Sequence, residues 1–215
     1  MKVIIIGGGW AGCAAALAAS SRGAETVLIE RTDMLLGTGL VGGIMRNNGR
    51  FTATEEMIAM GGGELFSAID GNLLHRGIDF PGHTHASLYN VGTMEPVVRR
   101  LLAAHGIDLR FETRITGVEQ EGGRILAVTG KHAGEAVRIP GEVFVETTGT
   151  AGPPASCARH GNGCAMCVLR CHSFGGRVSV AAKAGVLEMD GRKGEQTGAM
   201  RDRKSTRLNS SHRIR

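Results

Sequence analysis

The sequence predicts an α/β fold with a parallel central sheet, and three observations in its first 30 residues carry this prediction. An apolar run over 2–6 has the length and composition of a buried strand. An alanine-rich stretch over 13–19 follows as a helix of small residues, and a second apolar run over 26–29 follows as another strand. A strand, a helix and a strand in close succession indicate a βαβ unit, whose two strands lie parallel in one sheet.

A glycine-rich turn with the spacing Gly-x-Gly-x-x-Gly lies between the first strand and the helix. Gly7 permits a tight exit from the strand, Gly9 lets the backbone approach a pyrophosphate, and Gly12 lets the helix sit close to the sheet. The N-terminal end of the helix carries a partial positive charge, which favours phosphate groups. Trp10 and Ala11 lie inside this turn and are predicted to belong to the same site.

An acidic residue stands where the second strand ends. Glu30 follows 18 residues after Gly12, a position from which a carboxylate accepts hydrogen bonds from the hydroxyls of an adenosine ribose. A chain with 34 glycines contains such spacings by chance, so the spacing alone is weak support for a dinucleotide site. The alternative interpretation is an ordinary glycine-rich turn. Because strand, turn, helix, strand and acid occur in the required order, we predict a dinucleotide-binding site of the Rossmann type.

The rest of the chain predicts an insertion and a return to the sheet. The segment 51–92 is predicted as a largely helical insertion, with a helix over 53–75 and a loop over 81–92, and a further helix is predicted over 94–105. Four short strands over 108–139, with a Gly-Gly turn between the middle two, predict an antiparallel β-meander inserted between parallel strands. An apolar strand over 142–146 then returns to the parallel sheet.

The charge and the cysteine content limit the classes of function and the compartment that the sequence allows. The net charge of +5 comes mostly from 202–215, which supplies +4, so the body is nearly neutral and nucleic-acid binding is not expected. The clustered, odd-numbered cysteines and the absence of a signal-peptide-like or membrane-spanning apolar run favour a reducing cytoplasm and no membrane role. The sequence does not identify a substrate or an electron-transfer partner.

The last segment, 202–215, resembles the translation of a widely used sequencing-adapter oligonucleotide in one reading frame. We therefore expect a non-native tail, and a natural, basic, disordered tail is the alternative. On this interpretation, residues 1–201 form one dinucleotide-binding domain for FAD or NAD(P), which includes the insertion and a cysteine-rich segment over 157–171. The parent protein is expected to be longer than this chain.

Taken together, these features resemble the FAD-dependent oxidoreductases with two dinucleotide-binding folds, and within them the heterodisulfide-reductase A-subunit-like group. The resemblance implies a Rossmann-like FAD-binding domain with a parallel central sheet and an inserted antiparallel β-meander. The meander favours FAD, since in NAD-only folds the third strand usually leads directly into another helix. The resemblance further implies a cofactor-binding set that comprises Gly7, Gly9, Trp10, Ala11, Gly12, Glu30, Arg31, Gly42, Gly43, Ile115 and Gly149.

Two other functions stay open at this point. The ten residues around the glycine turn are also similar to the start of the tRNA uridine-modifying flavoproteins, although the downstream sequence matches them less well. A non-catalytic dinucleotide-binding module would carry the same turn. No residue has the partners that identify a catalytic base, so no catalytic residue is predicted. The resemblance implies an enzyme, an FAD-dependent oxidoreductase, of which this chain is a truncated part that need not be active by itself.

Four cysteines within fifteen residues form a candidate metal centre. Cys157, Cys164, Cys167 and Cys171 have the spacing C-x6-C-x2-C-x3-C, and four thiolates in a reducing compartment suit a [4Fe-4S] cluster. Such a cluster would exchange single electrons with a flavin. The last three also fall on one helical face, where cysteine packs as a small apolar residue, and a zinc site or a redox-active dithiol would fit the same residues.

Overall fold

The computed structural model describes residues 1–37, 39–40, 44–46, 58–80, 83–149 and 178–186. The chain divides into two units, Met1–Gly149 and Thr150–Arg215. In chain order, the strands are β1 (Lys2–Ile6), β2 (Glu25–Ile29), β3 (Ile44–Arg46), β4 (Leu73–Phe80), β5 (His83–Tyr89), β6 (Asp108–Arg110), β7 (Thr113–Glu121), β8 (Arg124–His132), β9 (Glu135–Pro140) and β10 (Val143–Glu146). The helices are α1 (Trp10–Ser20), α2 (Gly63–Asp70), α3 (Val91–Ala104) and α4 (Val180–Lys183), and a π-helical turn spans Ile58–Gly62.

A four-stranded parallel sheet in the order β10-β1-β2-β6 organises the first unit. Its inner strands β1 and β2 are apolar almost throughout, and Ile4 and Ile5, on opposite faces of β1, are both fully buried. Burial on both faces explains why these strands are continuous apolar runs rather than alternating ones. The predicted α/β class with a parallel central sheet is confirmed, and so is the return of the chain along β10.

The strand order places a switch point beside β1. Strands β2 and β6 lie on one side of β1, whereas β10 lies on the other. In open parallel sheets, ligands bind at the carboxyl ends of the strands where the strand order reverses in this way. The carboxyl end of β1 is Ile6, and the glycine-rich turn follows it directly. The topology therefore puts the predicted dinucleotide turn at the expected edge of the sheet.

Helices α1 and α3 complete the core of this unit. The main apolar cluster joins Ile5 and Leu28 of the sheet to Leu17 of α1 and Val98 of α3. The side chain of Asn90 caps α3 by accepting a hydrogen bond from a backbone N–H at 2.8 Å. This cap explains why the helix begins at the residue after Asn90, about one turn before the predicted start.

The antiparallel β-meander predicted between the parallel strands is present, with β7, β8 and β9 paired in that order. The turn between β7 and β8 has positive φ at Gly122 (57°) and Gly123 (78°), as a type I′ hairpin turn requires. The first of the four strands predicted over 108–139 does not belong to the meander, because β6 pairs in parallel with β2. It ends at Arg110, and Glu112 adopts a φ of 49° before β7 begins.

The insertion predicted as helical over 51–92 is only partly helical. Among its described residues, the π-helical turn, α2 and the first residues of α3 are helical. Strands β4 and β5 occupy the end of the helix predicted over 53–75 and most of the loop predicted over 81–92. The prediction was wrong because β5 pairs with β3, which is remote in sequence, as well as with β4. Register shifts in the β4–β5 pair, one of them around Gly77 with its φ of 60°, also obscure the strand alternation.

The second unit contributes one short described helix, α4, whose N-terminus is capped by the hydroxyl of Ser179. The cysteine-rich segment over 157–171 and the tail over 202–215 lie outside the described residues, so the expectations for both stay predictions. Among the residues that the structure describes, none of the helices combines the length and the apolar composition needed to cross a bilayer.

The β7–β8 turn generates a prediction about stability. We expect Gly123→Val to lower the free energy of unfolding by about 1–2 kcal/mol, because a branched side chain is strained at a φ of 78°. Gly123→Asn is the matched control, since asparagine tolerates the left-handed region and no described atom lies within 4 Å of the added Cβ. Urea denaturation of both variants measures the difference, and equal costs would contradict the turn type.

Candidate functional site

The glycine-rich turn leaves the carboxyl end of β1 and lies between the ends of β2 and β10. The N–H of Gly7 donates to the carbonyl oxygen of Ile29 at 2.8 Å, and Gly7 has a φ of 110°. A Cβ atom at Gly7 would lie 2.3 Å from the carbonyl oxygen of Thr147, the residue that follows β10. Both the backbone conformation and the close approach of the neighbouring strand therefore require glycine at this position.

Gly12 allows α1 to contact the turn directly. A Cβ atom at Gly12 would lie 1.9 Å from the carbonyl oxygen of Gly7. The hydroxyl of Thr147 lies 2.8 Å from the same oxygen and 2.9 Å from the carbonyl oxygen of Ile6, and it donates to these two acceptors. The turn is thus held from the side of β10 by a side chain as well as by strand pairing.

Gly9 differs from the other two fingerprint glycines. It is the N-cap of α1 and has an ordinary φ of −69°, which a side chain could adopt without strain. Among the described residues, none comes within 4 Å of a Cβ atom built at Gly9. Trp10 and Ala11 follow it in the first turn of α1, and neither carries a charge that would oppose an anion. Within the part of the chain that the structure describes, neither backbone conformation nor packing requires glycine here, and no atom occupies the position of its side chain.

Glu30 is buried at the end of β2, with 9% of its surface exposed. Its Oε2 accepts a hydrogen bond from the N–H of Gly8 at 2.7 Å, and its Oε1 accepts from the N–H and hydroxyl of Thr32 at 2.9 and 3.0 Å. These bonds hold the carboxylate beside the turn before any ligand arrives. The sequence predicted a ribose-facing role for Glu30, whereas its bond to Gly8 is a second role that spacing alone does not reveal.

The segment after Glu30 also contacts the turn through its backbone. The N–H of Leu36 donates to the carbonyl oxygen of Gly8 at 2.7 Å, and a β-bridge joins Leu36 to Gly9. Both backbone polar groups of Gly8 are therefore bonded to residues that follow β2. The conformation of the turn depends on this downstream segment as well as on the βαβ unit itself.

The start of the meander lies next to Glu30, because the N–H of Thr113 donates to the carbonyl oxygen of Glu30 at 3.0 Å. Ile115, two residues further along β7, is 6% exposed, so its side chain belongs to the core. Burial lowers the pKa of the Arg31 guanidinium from its usual value, while the neighbouring Glu30 carboxylate acts in the opposite direction. Contact of Ile115 or Arg31 with a cofactor stays a prediction.

Trp10 packs in an aromatic cluster formed with the insertion. Its ring is stacked with Phe66 of α2, with ring centroids 6.3 Å apart, and is tilted against Tyr89 of β5 at 6.2 Å. The hydroxyl of Tyr89 donates to the carbonyl oxygen of Gly39, and burial raises the pKa of Tyr89 to about 12. The indole of Trp10 is therefore engaged within the protein, and its backbone N–H is the group that lies in the first turn of α1. Sequence reasoning placed Tyr89 in a loop and missed this cluster.

Residues beyond β10 flank the turn on the other side. The carboxylate of Glu146 accepts a hydrogen bond from the N–H of Thr148 at 2.9 Å. Gly149, a predicted cofactor contact, is exposed and has a φ of 93°, which favours glycine. Gly42 and Gly43, the predicted second glycine loop, lie outside the described residues. The involvement of all three glycines stays a prediction.

Cys13 is buried within the small-residue face of α1. Its Sγ lies 3.4 Å from the carbonyl oxygen of Gly8, and burial raises the pKa of the thiol to about 12. A thiol with so high a pKa is protonated at neutral pH and is a poor nucleophile. Cys13 is therefore a packing residue beside the turn.

The predicted metal ligands Cys157, Cys164, Cys167 and Cys171 all lie outside the described residues. Within the part of the chain that the structure describes, no group of three or more His, Cys, Asp or Glu side chains is placed to hold a metal ion. The iron-sulfur assignment consequently has no structural support and stays a prediction.

Residues 2–153 match the model of a protein family described as FAD dependent oxidoreductase. The matched range contains the whole parallel sheet, the glycine turn, Glu30 and the meander, and it ends before the cysteine-rich segment. No curated protein matches the sequence at a significant level.

Several solved structures are similar to part of this chain. A 3-ketosteroid-delta4-(5alpha)-dehydrogenase from Rhodococcus jostii RHA1 is 18% identical, with 74% of this chain and 47% of that chain covered and a TM-score of 0.49. A myxobacterial chondrochloren halogenase is also 18% identical, with 69% and 37% covered and a TM-score of 0.49. A ferredoxin reductase from Rhodopseudomonas palustris is 16% identical, with 69% and 24% covered and a TM-score of 0.40. The chain thus spans less than half the length of each of these proteins.

The contrast between Gly12 and Gly9 generates a prediction about stability. We expect Gly12→Ala to cost about 2–3 kcal/mol of the free energy of unfolding, because its Cβ would overlap a backbone oxygen that cannot move independently. Gly9→Ala is expected to cost about 1 kcal/mol or less, since no described atom opposes the added methyl group and only the preference for glycine over alanine at an N-cap is lost. Thermal and urea denaturation compare the two variants. A large loss of stability in Gly9→Ala would mean that the space at Gly9 is filled by the protein.

Proposed function

The chain belongs to the FAD-dependent oxidoreductase family, and on this premise we propose that its first unit binds the adenosine diphosphate half of FAD. The observation that carries the proposal is Gly9, a glycine that the fold of the described residues does not require. Gly7 and Gly12 are explained by contacts within the protein, whereas the space beside Gly9 fits the close approach of a pyrophosphate. When bound, FAD supplies two-electron chemistry, and the protein binds and orients the cofactor.

The electrostatics of the turn suit a diphosphate. Gly9, Trp10 and Ala11 lie at the N-terminus of α1, an eleven-residue helix whose first N–H groups and dipole favour an anion. The first turn contains no acidic side chain that would compete for those N–H groups. We therefore assign the diphosphate to the backbone of Gly9–Gly12.

The ribose of the adenosine is assigned to Glu30. A carboxylate has about four acceptor positions, and the bonds from Gly8 and Thr32 leave capacity for a ribose hydroxyl. Because Glu30 is almost fully buried and already oriented, little side-chain freedom is lost when the ligand binds. Truncating Glu30 would remove this contact, but it would also leave the N–H of Gly8 without its acceptor. A change at Gly9 is therefore the cleaner test of the site.

The chain contains a built-in reporter of binding at this turn. Trp10 is the only tryptophan in the sequence, and it is the first residue of α1. Oxidised flavin absorbs light at the wavelengths where tryptophan emits, so a bound FAD quenches tryptophan fluorescence by energy transfer. Titration of the chain with FAD, followed at the tryptophan emission and by equilibrium dialysis, gives the dissociation constant directly.

We expect Gly9→Ala to weaken FAD binding by about tenfold or more, because its methyl group occupies the space assigned to the diphosphate and lengthens charge-assisted hydrogen bonds. Gly63→Ala is a matched control: Gly63 is the first residue of α2, and an added Cβ would make only ordinary contacts there. The control should bind FAD as tightly as the wild type. Equal dissociation constants for Gly9→Ala and the wild type would place the diphosphate elsewhere.

We further propose that the whole protein is a flavin-dependent oxidoreductase of the heterodisulfide-reductase A-subunit-like group, with Cys157, Cys164, Cys167 and Cys171 as ligands of a [4Fe-4S] cluster. The support is the sequence resemblance and the spacing of the four thiols. In such a protein the cluster would exchange single electrons with the flavin.

The cluster is tested by the metal content of protein purified without oxygen. We expect about four iron and four sulfide ions per chain and a broad absorption shoulder at visible wavelengths, both lost in the Cys164→Ser/Cys167→Ser variant. Cys13→Ser is the control, because Cys13 is buried beside the glycine turn and is not one of the four proposed ligands. This variant should keep its iron and sulfide. Zinc in place of iron, or no metal in freshly prepared protein, would reject the cluster while leaving the FAD assignment intact.

A further inference from the structure

We propose that Glu95 and Arg99 of α3 are positioning residues for nucleotide recognition. They hold the segment after β2, residues 32–36, so that Glu30 and Gly8 keep the geometry that binds the ligand. This inference rests on the proposed binding of the adenosine diphosphate half of FAD at the glycine turn. Neither residue lies in the fingerprint, and neither was predicted from the sequence as part of the site.

Glu95 is a buried carboxylate that faces the backbone of this segment. It is 6% exposed, and its Oε1 accepts a hydrogen bond from the N–H of Leu35 at 3.2 Å. Arg99, one helical turn later, donates to the same oxygen from Nε at 2.8 Å and from a terminal nitrogen at 2.5 Å. Burying a carboxylate costs free energy unless it is paired and hydrogen-bonded. Here the ion pair with Arg99 offsets that cost and leaves the Glu95 carboxylate hydrogen-bonded to the Leu35 N–H.

Arg99 extends the contact to two other parts of the chain. A terminal nitrogen of its guanidinium donates to the carbonyl oxygen of Asp33 at 2.6 Å. The guanidinium also lies over the ring of Phe111, 4.1 Å from the ring centroid, just before β7 begins. One planar cation therefore joins α3, the segment after Glu30 and a residue that precedes the meander. A lysine could not make these directional contacts together.

The clamped segment is bonded in turn to the ligand-facing groups. Thr32, next to Asp33, donates to the Glu30 carboxylate, and Leu36, next to Leu35, donates to the carbonyl oxygen of Gly8. The Glu95–Arg99 pair therefore fixes two residues, Asp33 and Leu35, that lie between these bonds. If the pair is broken, the segment is free to shift, and the Glu30 carboxylate and the Gly8 backbone shift with it.

Loss of a positioning residue changes the selectivity of the folded protein for its ligands, whereas loss of a packing residue changes only its stability. Leu35, Leu36, Met94 and Val98 already bury the apolar surface between α3 and the segment, so an aliphatic residue at position 95 would preserve burial. Such a residue would remove the acceptor for the Leu35 N–H and the partner of Arg99. Simple loss of stability would leave the selectivity of folded protein for its ligands unchanged, whereas loss of positioning would reduce it.

The readout is discrimination of the ribose hydroxyls. ADP and its 2′,3′-dideoxy analogue share the diphosphate and adenine, and they differ only in the hydroxyls assigned to Glu30. We expect the wild-type chain to bind ADP about tenfold more tightly than the analogue, since hydrogen bonds to a charged group are lost. In Arg99→Met this ratio should fall below about threefold, because the Glu30 carboxylate is no longer held in position.

Conservative and neighbouring variants sharpen the test. Glu95→Gln keeps an acceptor for the Leu35 N–H and should retain most of the discrimination, whereas Glu95→Leu should lose it. Arg100→Met, on the exposed neighbouring residue of the same helix, should match the wild type. Dissociation constants are measured by titration calorimetry well below each variant's unfolding temperature. Arg99 is 39% exposed, so Arg99→Met gives a folded protein for comparison if Glu95→Leu does not fold.

The outcomes separate this inference from the proposed function. A wild-type chain that binds neither ADP nor FAD rejects the proposed function and this inference with it. A wild-type chain that discriminates between the two nucleotides, together with variants that keep the full ratio and lose only stability, rejects the positioning role alone. Loss of the ratio in Arg99→Met and Glu95→Leu, with its retention in Glu95→Gln and Arg100→Met, supports it.

Discussion

The bond from the Gly8 N–H to the buried Glu30 carboxylate is the contact on which the site depends. It joins the turn after β1 to the end of β2 through a charged acceptor at 2.7 Å, in surroundings where an unpaired partner would be costly. The same carboxylate both braces the turn and is assigned to the ribose. On the proposed assignment, the diphosphate and ribose positions would therefore be fixed relative to each other.

The three fingerprint glycines have different physical reasons, although the pattern treats them alike. Gly7 and Gly12 are required by the protein, because a Cβ at either would overlap backbone atoms within 2.3 Å. Gly9 meets no described neighbour and has an ordinary backbone conformation, so the described fold does not require glycine there, and the proposed diphosphate would. Of the three motif glycines, only Gly9 therefore points to a ligand. The other two positions report how closely the helix and the strands pack.

Local patterns predicted β1, β2, β10, α1 and the three meander strands, because continuous apolar runs and a Gly-Gly turn report burial and hairpin geometry directly. They assigned β6 to the meander, whereas it pairs in parallel with β2. They failed over 51–92, where β5 pairs with the remote strand β3 and where register shifts in the β4–β5 pair obscure the alternation of a strand. They also missed Glu95, since a glutamate on an amphipathic helix is normally a solvated residue. Its burial follows from the backbone donor that the segment after β2 presents to it, which is a tertiary fact.

The atoms that the proposal assigns to the ligand are mostly backbone atoms, so the geometry of the proposed site depends on residues that would not face the ligand. These residues come from the end of β2, from the end of β10 and from α3, and they include Glu30, Thr147 and Glu95. The first 30 residues hold the motif but lack the hydroxyl that bonds the Gly7 carbonyl and the pair that fixes the following segment. It follows that the dinucleotide turn is not an autonomous βαβ module in this chain. Its shape depends on contacts from other strands and helices, including the hydroxyl of Thr147.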